Sequence, residues 1–282
     1  MKPILVFQTD FTYKEGAVCA MYGVVKSVDR KLEIIDGTHE IPQYDVWSAS
    51  YRLYQSMQFW PAGTIFVSVV DPGVGTQRRG CVAQIEGGYY VVTPDNGTLT
   101  HVKVWIGIRA VRQIDESVNR LHGRNTEGTS VFHGRDIFSY CAARLASGII
   151  TYEGVGPVYP VDEIVTLPMQ QPTAEPGRVC GIFEIGDPNF GNLWTNIPYS
   201  LFESAGFHYS DRMDTVISHK GAEVFRATLL FERSFGFAAK GEVMIYTNEL
   251  MRIALAVNQG NLADQYNLGY GPEWAVEFTL TN

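Results

Sequence analysis

The sequence predicts an α/β protein in two parts. A larger N-terminal α/β domain with a mainly parallel sheet (1–166) precedes a smaller β-barrel-like domain (177–282). Over the first part, β-branched apolar runs alternate with amphipathic runs, the order that gives a parallel sheet. Over the last part, short strand-like runs follow one another without helical periodicity, as barrels and sandwiches require. Between them lies LPMQQPTAEP, Leu167–Pro176, whose three prolines and lack of periodicity read as a linker.

Taken in order, 4–9 (ILVFQT) reads as a buried strand that stops at Asp10. Gly16–Val28 carries Val18, Met21, Val24 and Val25 at helical spacing. Leu32–Ile35 is a second strand ending at Asp36-Gly37. Asp45–Phe59 is an amphipathic helix closed by Pro61-Ala62-Gly63, and Phe66–Val70 is a third strand. Cys81–Glu86 and Tyr89–Val92 are strands hinged at Gly87-Gly88. The turn Pro94–Gly97 leads into a short helix from Thr98, and Ala110–Ile114 is another strand. Ser130–Asp136 opens a helix to about Ser147, with Asp136 in the first turn, where a negative charge suits the dipole. After the linker come strands at Arg178–Ile185, Leu193–Ile197, Thr215–Ser218, Ala227–Phe231 and Val243–Thr247.

With 282 residues and 45% hydrophobic content, the chain is long enough for one large domain or two modest ones. Its net charge of −8 argues against nucleic acid or an anionic membrane as main partner. No apolar run reaches membrane-span length, and Met1-Lys2-Pro3 leads straight into a strand without a signal peptide. Cys19, Cys81, Cys141 and Cys180 form no CxxC pair and read as buried thiols in a reducing cytosol, neither zinc ligands nor a disulfide framework. The expectation is a cytoplasmic protein.

Chemistry concentrates where strands end. FVSVVDPGVGTQRRG, Phe66–Gly80, places an acid at a strand's carboxyl end and Arg78 and Arg79 after a glycine loop. In an open α/β sheet, ligands bind there. It is no phosphate loop, because no Lys-Ser/Thr follows the last glycine. Taken alone it is equally an ordinary strand-to-turn junction with a surface ion pair. Three further stretches put polar groups at strand ends or turns: Thr9-Asp10-Phe11, Phe132–Phe138 and Asp187–Asn192. Each has a plain alternative, since a strand-end Asp caps turns, a Phe before Gly-Asn packs in cores, and a lone His is more often structural than catalytic.

Together, QTDF, VVDPGVGTQRR, TPDNGTLT, FHGRDIF, DPNFGNLWTNI and LAVNQGN resemble the S-adenosylmethionine hydroxide adenosyltransferase family, which is related to enzymes that attach fluoride or chloride to the same substrate. They span almost the whole chain. The resemblance implies a large α/β domain, a small β-barrel and a homotrimer with active sites between subunits. The reaction it implies is attack at the ribose C5′ of S-adenosylmethionine, releasing adenosine and L-methionine. S-adenosylmethionine is then substrate, and no cofactor or metal is expected. Methionine leaves as a neutral thioether and needs no general acid. Water is the difficulty, with a pKa of about 15.7.

The family's Asp–Arg–His triad falls on Asp71, Arg78 and His133, where Arg78 would stabilise a hydroxide-like oxygen and the other two position it and take its proton. Residue types leave open which member is the base. The halogenating relatives carry tyrosine or glycine at Asp71 and serine at Gly134, and a carboxylate repels a halide. By the same resemblance, Asp10 holds the ribose hydroxyls, for which a carboxylate's acceptors suit. Tyr44 covers sugar and adenine, Asn192 and Phe235 contact adenine, Phe190 is another wall, and Asp187 holds the methionine ammonium. The match departs at the methionine end. Glu15 replaces a shorter acid and Ala17 a larger residue, and Asn248-Glu249-Leu250-Met251 stands where a serine helps bind the carboxylate. Three other readings stay open: a non-catalytic adenosine or S-adenosylmethionine binder, a halogenase at the same carbon, and a metal-dependent hydrolase on Asp10, Asp71 and His133, whose spacing matches no standard ligand motif.

Overall fold

The computed structural model describes residues 2–123, 126 and 128–281. The chain divides into two compact units, residues 1–167 and 168–282. In the first, β1 (Leu5–Thr9) and α1 (Ala17–Val28) form as the apolar spacing requires, with Val18, Met21, Val24 and Val25 buried on one helix face. Next come β2 (Ile34–Thr38), α2 (Val46–Met57) and the fully buried β3 (Ile65–Val69). The second strand thus starts later than expected and runs through Asp36-Gly37, because parallel pairing with β1 continues to Thr38 across a register shift. Asp45 caps α2, its carboxylate accepting the Ser48 N–H at 2.9 Å.

Then follow β4 (Gly80–Ile85), β5 (Tyr89–Pro94), α3 (Thr100–Trp105), β6 (Ile108–Gln113), α4 (Glu116–Asn119), α5 (Tyr140–Ser147) and β7 (Val158–Tyr159). The sheet order is β2-β1-β3-β5-β4-β6-β7. The first four strands are parallel, and β4, β6 and β7 join antiparallel. The parallel half comes from the helical crossovers. The antiparallel half follows from the hairpin at Gly87-Gly88, both at positive φ. The helix expected to open within Ser130–Asp136 and run to about Ser147 starts at Gly134 and has two parts: Gly134–Ser139 is a π-helical turn before α5. The Ser139 hydroxyl donates to the Gly134 carbonyl at 2.8 Å inside it. Such turns collect at functional sites.

The second unit begins with β8 (Thr173–Glu175), inside the stretch expected to be linker; it pairs with β9 (Arg178–Gly186). It continues with β10 (Leu193–Pro198), α6 (Tyr199–Ser204), β11 (Arg212–His219), β12 (Ala222–Phe231), β13 (Val243–Thr247), β14 (Arg252–Val257), α7 (Leu262–Tyr266) and β15 (Trp274–Leu280). The strands β9, β10, β14, β13, β12, β11 and β15 pair in turn, and β15 pairs back to β9, closing a seven-stranded barrel. Buried Phe183, Phe202, Phe207, Phe231 and Phe278 fill it, with Phe202 and Phe207 stacked at 4.2 Å. Among the described residues, no helix is long and apolar enough to cross a membrane.

His101 locks α3 to α2. It is fully buried, its Nδ1 lies 2.8 Å from Ser50 Oγ, and its ring meets Trp47 at 4.7 Å. Burial pushes its pKa down to about 3. The folded form therefore binds fewer protons than the unfolded chain below pH ~6.5, and this contribution to stability is lost as pH falls toward the folded value. Urea unfolding of the His101→Gln variant should show a shallower loss of stability between pH 6.5 and 4, by up to ~1.4 kcal/mol per pH unit.

Candidate active site

Asp71 follows the carboxyl end of β3, and a glycine loop returns the chain to it. Arg78 Nε donates to both Asp71 oxygens, at 2.9 and 3.1 Å, and Arg78 Nη2 donates to Oδ2 as well. The same Nη2 lies 2.7 Å from His133 Nδ1, and His133 Nε2 lies 2.8 Å from Ser130 Oγ. Three residues from separate stretches thus form one hydrogen-bonded chain. The Asp71 and Arg78 side chains are 6% and 10% exposed, so this pair is shielded from water far better than a surface ion pair. Burial, and then the Arg78 charge, hold His133 below the ordinary histidine pKa. His133 is therefore a neutral imidazole at neutral pH.

Structure around the trio fixes it. Asn96, read from sequence as part of a turn, donates its Nδ2 to the Val70 carbonyl at 2.9 Å, just before Asp71. Buried Asp95 accepts from the Val165 N–H at 2.9 Å and from the Tyr159 hydroxyl at 3.0 Å. Arg79 stacks on Tyr159 at 4.2 Å and bonds Glu163 at 3.0 Å, anchoring the chain just beyond Arg78. Turn composition alone could not show these roles; the signal was the position of TPDNG, opposite the loop in the sheet. The Arg78 guanidinium lies 5.2 Å from the Phe138 ring centre, so the π-helical turn supplies an apolar floor.

A cavity of about 170 Å³ opens beside the trio, lined by Asp10, Phe11, Tyr44, Val69, Asp71, Val74, Val131, Phe132, His133 and Gly134. Pockets that enclose drug-sized ligands run to roughly 300–1,000 Å³, so this space takes part of such a molecule. Arg78 is not in the lining; it joins Asp71 to His133. Asp10 Oδ2 accepts the Tyr44 N–H at 2.9 Å, while Oδ1 is buried without a partner among the described residues. Burial raises the Asp10 pKa. Tyr44 holds Asp10 through its backbone, at φ 65, a conformation unusual for an aromatic residue, and its side chain stands 63% exposed.

Glu15 is exposed, and its carboxylate accepts the Ala17 N–H at 2.9 Å, a local turn at the start of α1. The segment before it is pinned elsewhere. Tyr13 OH donates to Asp36, and its ring meets His39 at 4.9 Å. His39 Nδ1 in turn lies 2.8 Å from Thr9 Oγ1, directly before Asp10. Periodicity does not reveal this network, because its members come from three separate stretches: β1, the loop after it, and β2 with its end.

Asp187, Phe190, Asn192 and Phe235 belong to the barrel unit. Asp187 Oδ1 accepts the N–H groups of Asn189 and Phe190, at 2.9 and 3.2 Å, and its own N–H donates to the Asn192 carbonyl. Phe190 stands 65% exposed, and Asn192 is buried. Gly191 has φ +66, and a Cβ there would lie 1.7 Å from Asn261 Oδ1, so only glycine fits. Asn258 Nδ2 donates to the Phe235 and Ala238 carbonyls, at 3.1 and 2.7 Å. LAVNQGN therefore anchors both loops. Phe235 meets the Tyr246 ring at 5.0 Å, and Tyr246 accepts from Trp194 Nε1 at 3.0 Å. Asn248 Oδ1 closes the 248–252 turn by accepting the Leu250 and Arg252 N–H groups, both at 3.0 Å. Among the described residues, no three His, Cys, Asp or Glu side chains gather to hold a metal ion.

A carboxylate–guanidinium–imidazole chain beside a cavity, at the carboxyl end of an α/β sheet, is the arrangement of an enzyme site. Residues 5–156 match the SAM hydroxide adenosyltransferase N-terminal domain, and residues 184–275 match the C-terminal domain of the same name. The chain belongs to the SAM hydroxide adenosyltransferase family. It is 32% identical over 264 residues to the (R)-S-adenosyl-L-methionine hydrolase of Salinispora tropica, covering 93% of each chain. It is 28% identical over 294 residues to a fluorinase of Actinopolyspora mzabensis, covering 96% of this chain and 95% of that one. A crystal structure of an uncharacterized conserved protein from Thermotoga maritima superposes with a TM-score of 0.87 at 31% identity, over 98% of this chain and all of that one.

Gly134 gives a direct test of the packing. A Cβ there would lie 3.3 Å from Phe132 Cε2 and Val69 Cγ1, and 3.4 Å from Met21 Sδ. The site admits a side chain only if these neighbours yield. Gly134→Ser should destabilise the protein by about 1–3 kcal/mol, measured by urea unfolding.

Proposed function

We propose that this chain hydrolyses S-adenosyl-L-methionine to adenosine and L-methionine, with water attacking the ribose C5′. The observation that carries the reading is the continuous Asp71–Arg78–His133 chain beside a cavity that also holds Asp10. Relatives named as (R)-S-adenosyl-L-methionine hydrolases support a hydrolase.

The geometry distributes the work. Arg78 has donors only, and His133 has both ring nitrogens engaged. Asp71 keeps lone pairs beyond those that Arg78 uses, and it lines the cavity. Asp71 is therefore the member that accepts a hydrogen bond from the nucleophilic water and takes its proton. A water lone pair forms the O–C5′ bond, and the C5′–S electrons pass to sulfur. The leaving methionine is neutral and needs no acid. Arg78 orients the carboxylate, and neutral His133 orients Arg78. Asp10 has its unpartnered Oδ1 for the ribose hydroxyls. Asp71 also disfavours a halide, since a negative carboxylate repels it where a neutral water is accepted. The reaction uses no cofactor. The family resemblance further supports a cytoplasmic homotrimer with sites at subunit interfaces and, in the barrel unit, roles for Phe190, Asn192 and Phe235 toward adenine and for Asp187 toward the ammonium.

The test is to incubate the protein with S-adenosylmethionine in ¹⁸O-water, without halide, and follow the products by chromatography and mass spectrometry. Adenosine and methionine should appear together, with label in the 5′-hydroxyl. Asp71→Asn should cut kcat by about 10²–10⁴-fold while binding changes far less. Unchanged substrate with tight adenosine binding would point to a binding protein, and a halogenated nucleoside on adding chloride or fluoride to a halogenase.

A further inference from the structure

Resting on the hydrolase reading, we propose that Ser130 is a positioning residue: by accepting the Nε2–H of His133 it holds the imidazole in the orientation and tautomer that keep Arg78 on Asp71. A guanidinium has no acceptor, so the 2.7 Å contact between Arg78 Nη2 and His133 Nδ1 is a hydrogen bond donated by the arginine. Nδ1 is therefore bare, and the single ring proton of neutral histidine sits on Nε2. The group 2.8 Å from Nε2 must accept, and that group is Ser130 Oγ. The serine's own proton then turns outward, where the exposed residue meets solvent.

The tautomer matters because the opposite one places N–H against N–H at Arg78. So does the imidazolium, which adds like charge. Burial and the charges of Arg78 and Arg120 oppose protonation, while Glu116 and Asp71 favour it. The backbone seats Ser130 where the two functional loops meet. Gly75, at φ +78 in the loop that carries Arg78, packs so closely that a Cβ would come 3.1 Å from the Ser130 carbonyl. The trio is thus a chain of four, Asp71–Arg78–His133–Ser130, running from the cavity wall to solvent. Removing the last hydroxyl leaves a buried ring N–H without its acceptor and lets the ring turn, and misorientation of this kind reaches the reacting atoms through Arg78.

The experiment compares full-length wild type, Ser130→Ala and Ser130→Thr by ¹⁵N-histidine NMR, with His133→Ala to assign the resonance, and by kcat and KM for S-adenosylmethionine. Wild type should show His133 as the Nε2–H tautomer. In Ser130→Ala that single-tautomer signature should be lost. The His133 midpoint should also move down, since the imidazolium loses an acceptor. For this variant kcat should fall about tenfold with KM within about twofold, and Ser130→Thr, which keeps the hydroxyl, should restore both readouts. A Ser130→Ala protein with unchanged His133 tautomer and midpoint overturns the proposal, whatever its kcat. So does altered imidazole NMR with unchanged turnover. If wild type does not turn over S-adenosylmethionine, the hydrolase reading fails, and the positioning role fails with it. The NMR comparison still decides whether Ser130 sets the tautomer.

Discussion

The Arg78 guanidinium is the constraint on which the site depends. A cation so little exposed needs partners for its donors: Nε and Nη2 have them, while Nη1 is buried without one among the described residues, and a buried ion pair repays its desolvation only in good geometry. Asp71 supplies that geometry with two oxygens, His133 takes the outer edge of Nη2, and Phe138 lies against the guanidinium. The loop between Asp71 and Arg78 must reverse tightly to allow this, and Gly75 at positive φ is where it does so. Asn96 on one side and the Arg79–Glu163–Tyr159 cluster on the other keep the loop from relaxing.

Charge placement and protonation state then follow. Burial and the neighbouring guanidinium keep His133 neutral, so it serves as an acceptor toward Arg78. The π-helical turn begins directly after it at Gly134, whose close neighbours Val69, Phe132 and Met21 join the turn to β3 and α1. The histidine thereby sits on packed elements although it precedes the helix proper. Catalytic geometry is held best on such rigid supports.

In the barrel the same logic uses uncharged groups. Gly191 admits Asn261 against its backbone, and Asn258 holds the carbonyls of the Phe235 turn. Two loops far apart in sequence are thus fixed by one short phrase after β14. The network of Tyr13, Asp36, Tyr22, His39 and Thr9 does comparable work in the first unit, tying the segment after Asp10 to β2. That segment departs from the family's pattern, yet it is firmly anchored.

Much of this was legible without coordinates. Strand and helix positions in the first unit follow from periodicity, since each element must bury one face. That Asp71, Arg78 and His133 belong together follows from polar groups at strand ends and the family's phrases, and the fold joins them by hydrogen bonds. Sequence alone did not determine the antiparallel half of the first sheet, the strand at 173–175 or the later barrel strands, because pairing partners are nonlocal and short strands leave weak periodic signals. The π-helical turn was invisible for a related reason: its sequence is compatible with an α-helix, and only packing selects the wider turn. Tertiary structure also decided which nitrogen of His133 accepts, that Arg78 lies behind the cavity wall, and that Ser130 and Asn96 belong with the trio. Those are statements about distance and direction between side chains from separate elements. The residue types of a sequence set what each group can donate or accept, and the folded chain sets which partner it meets.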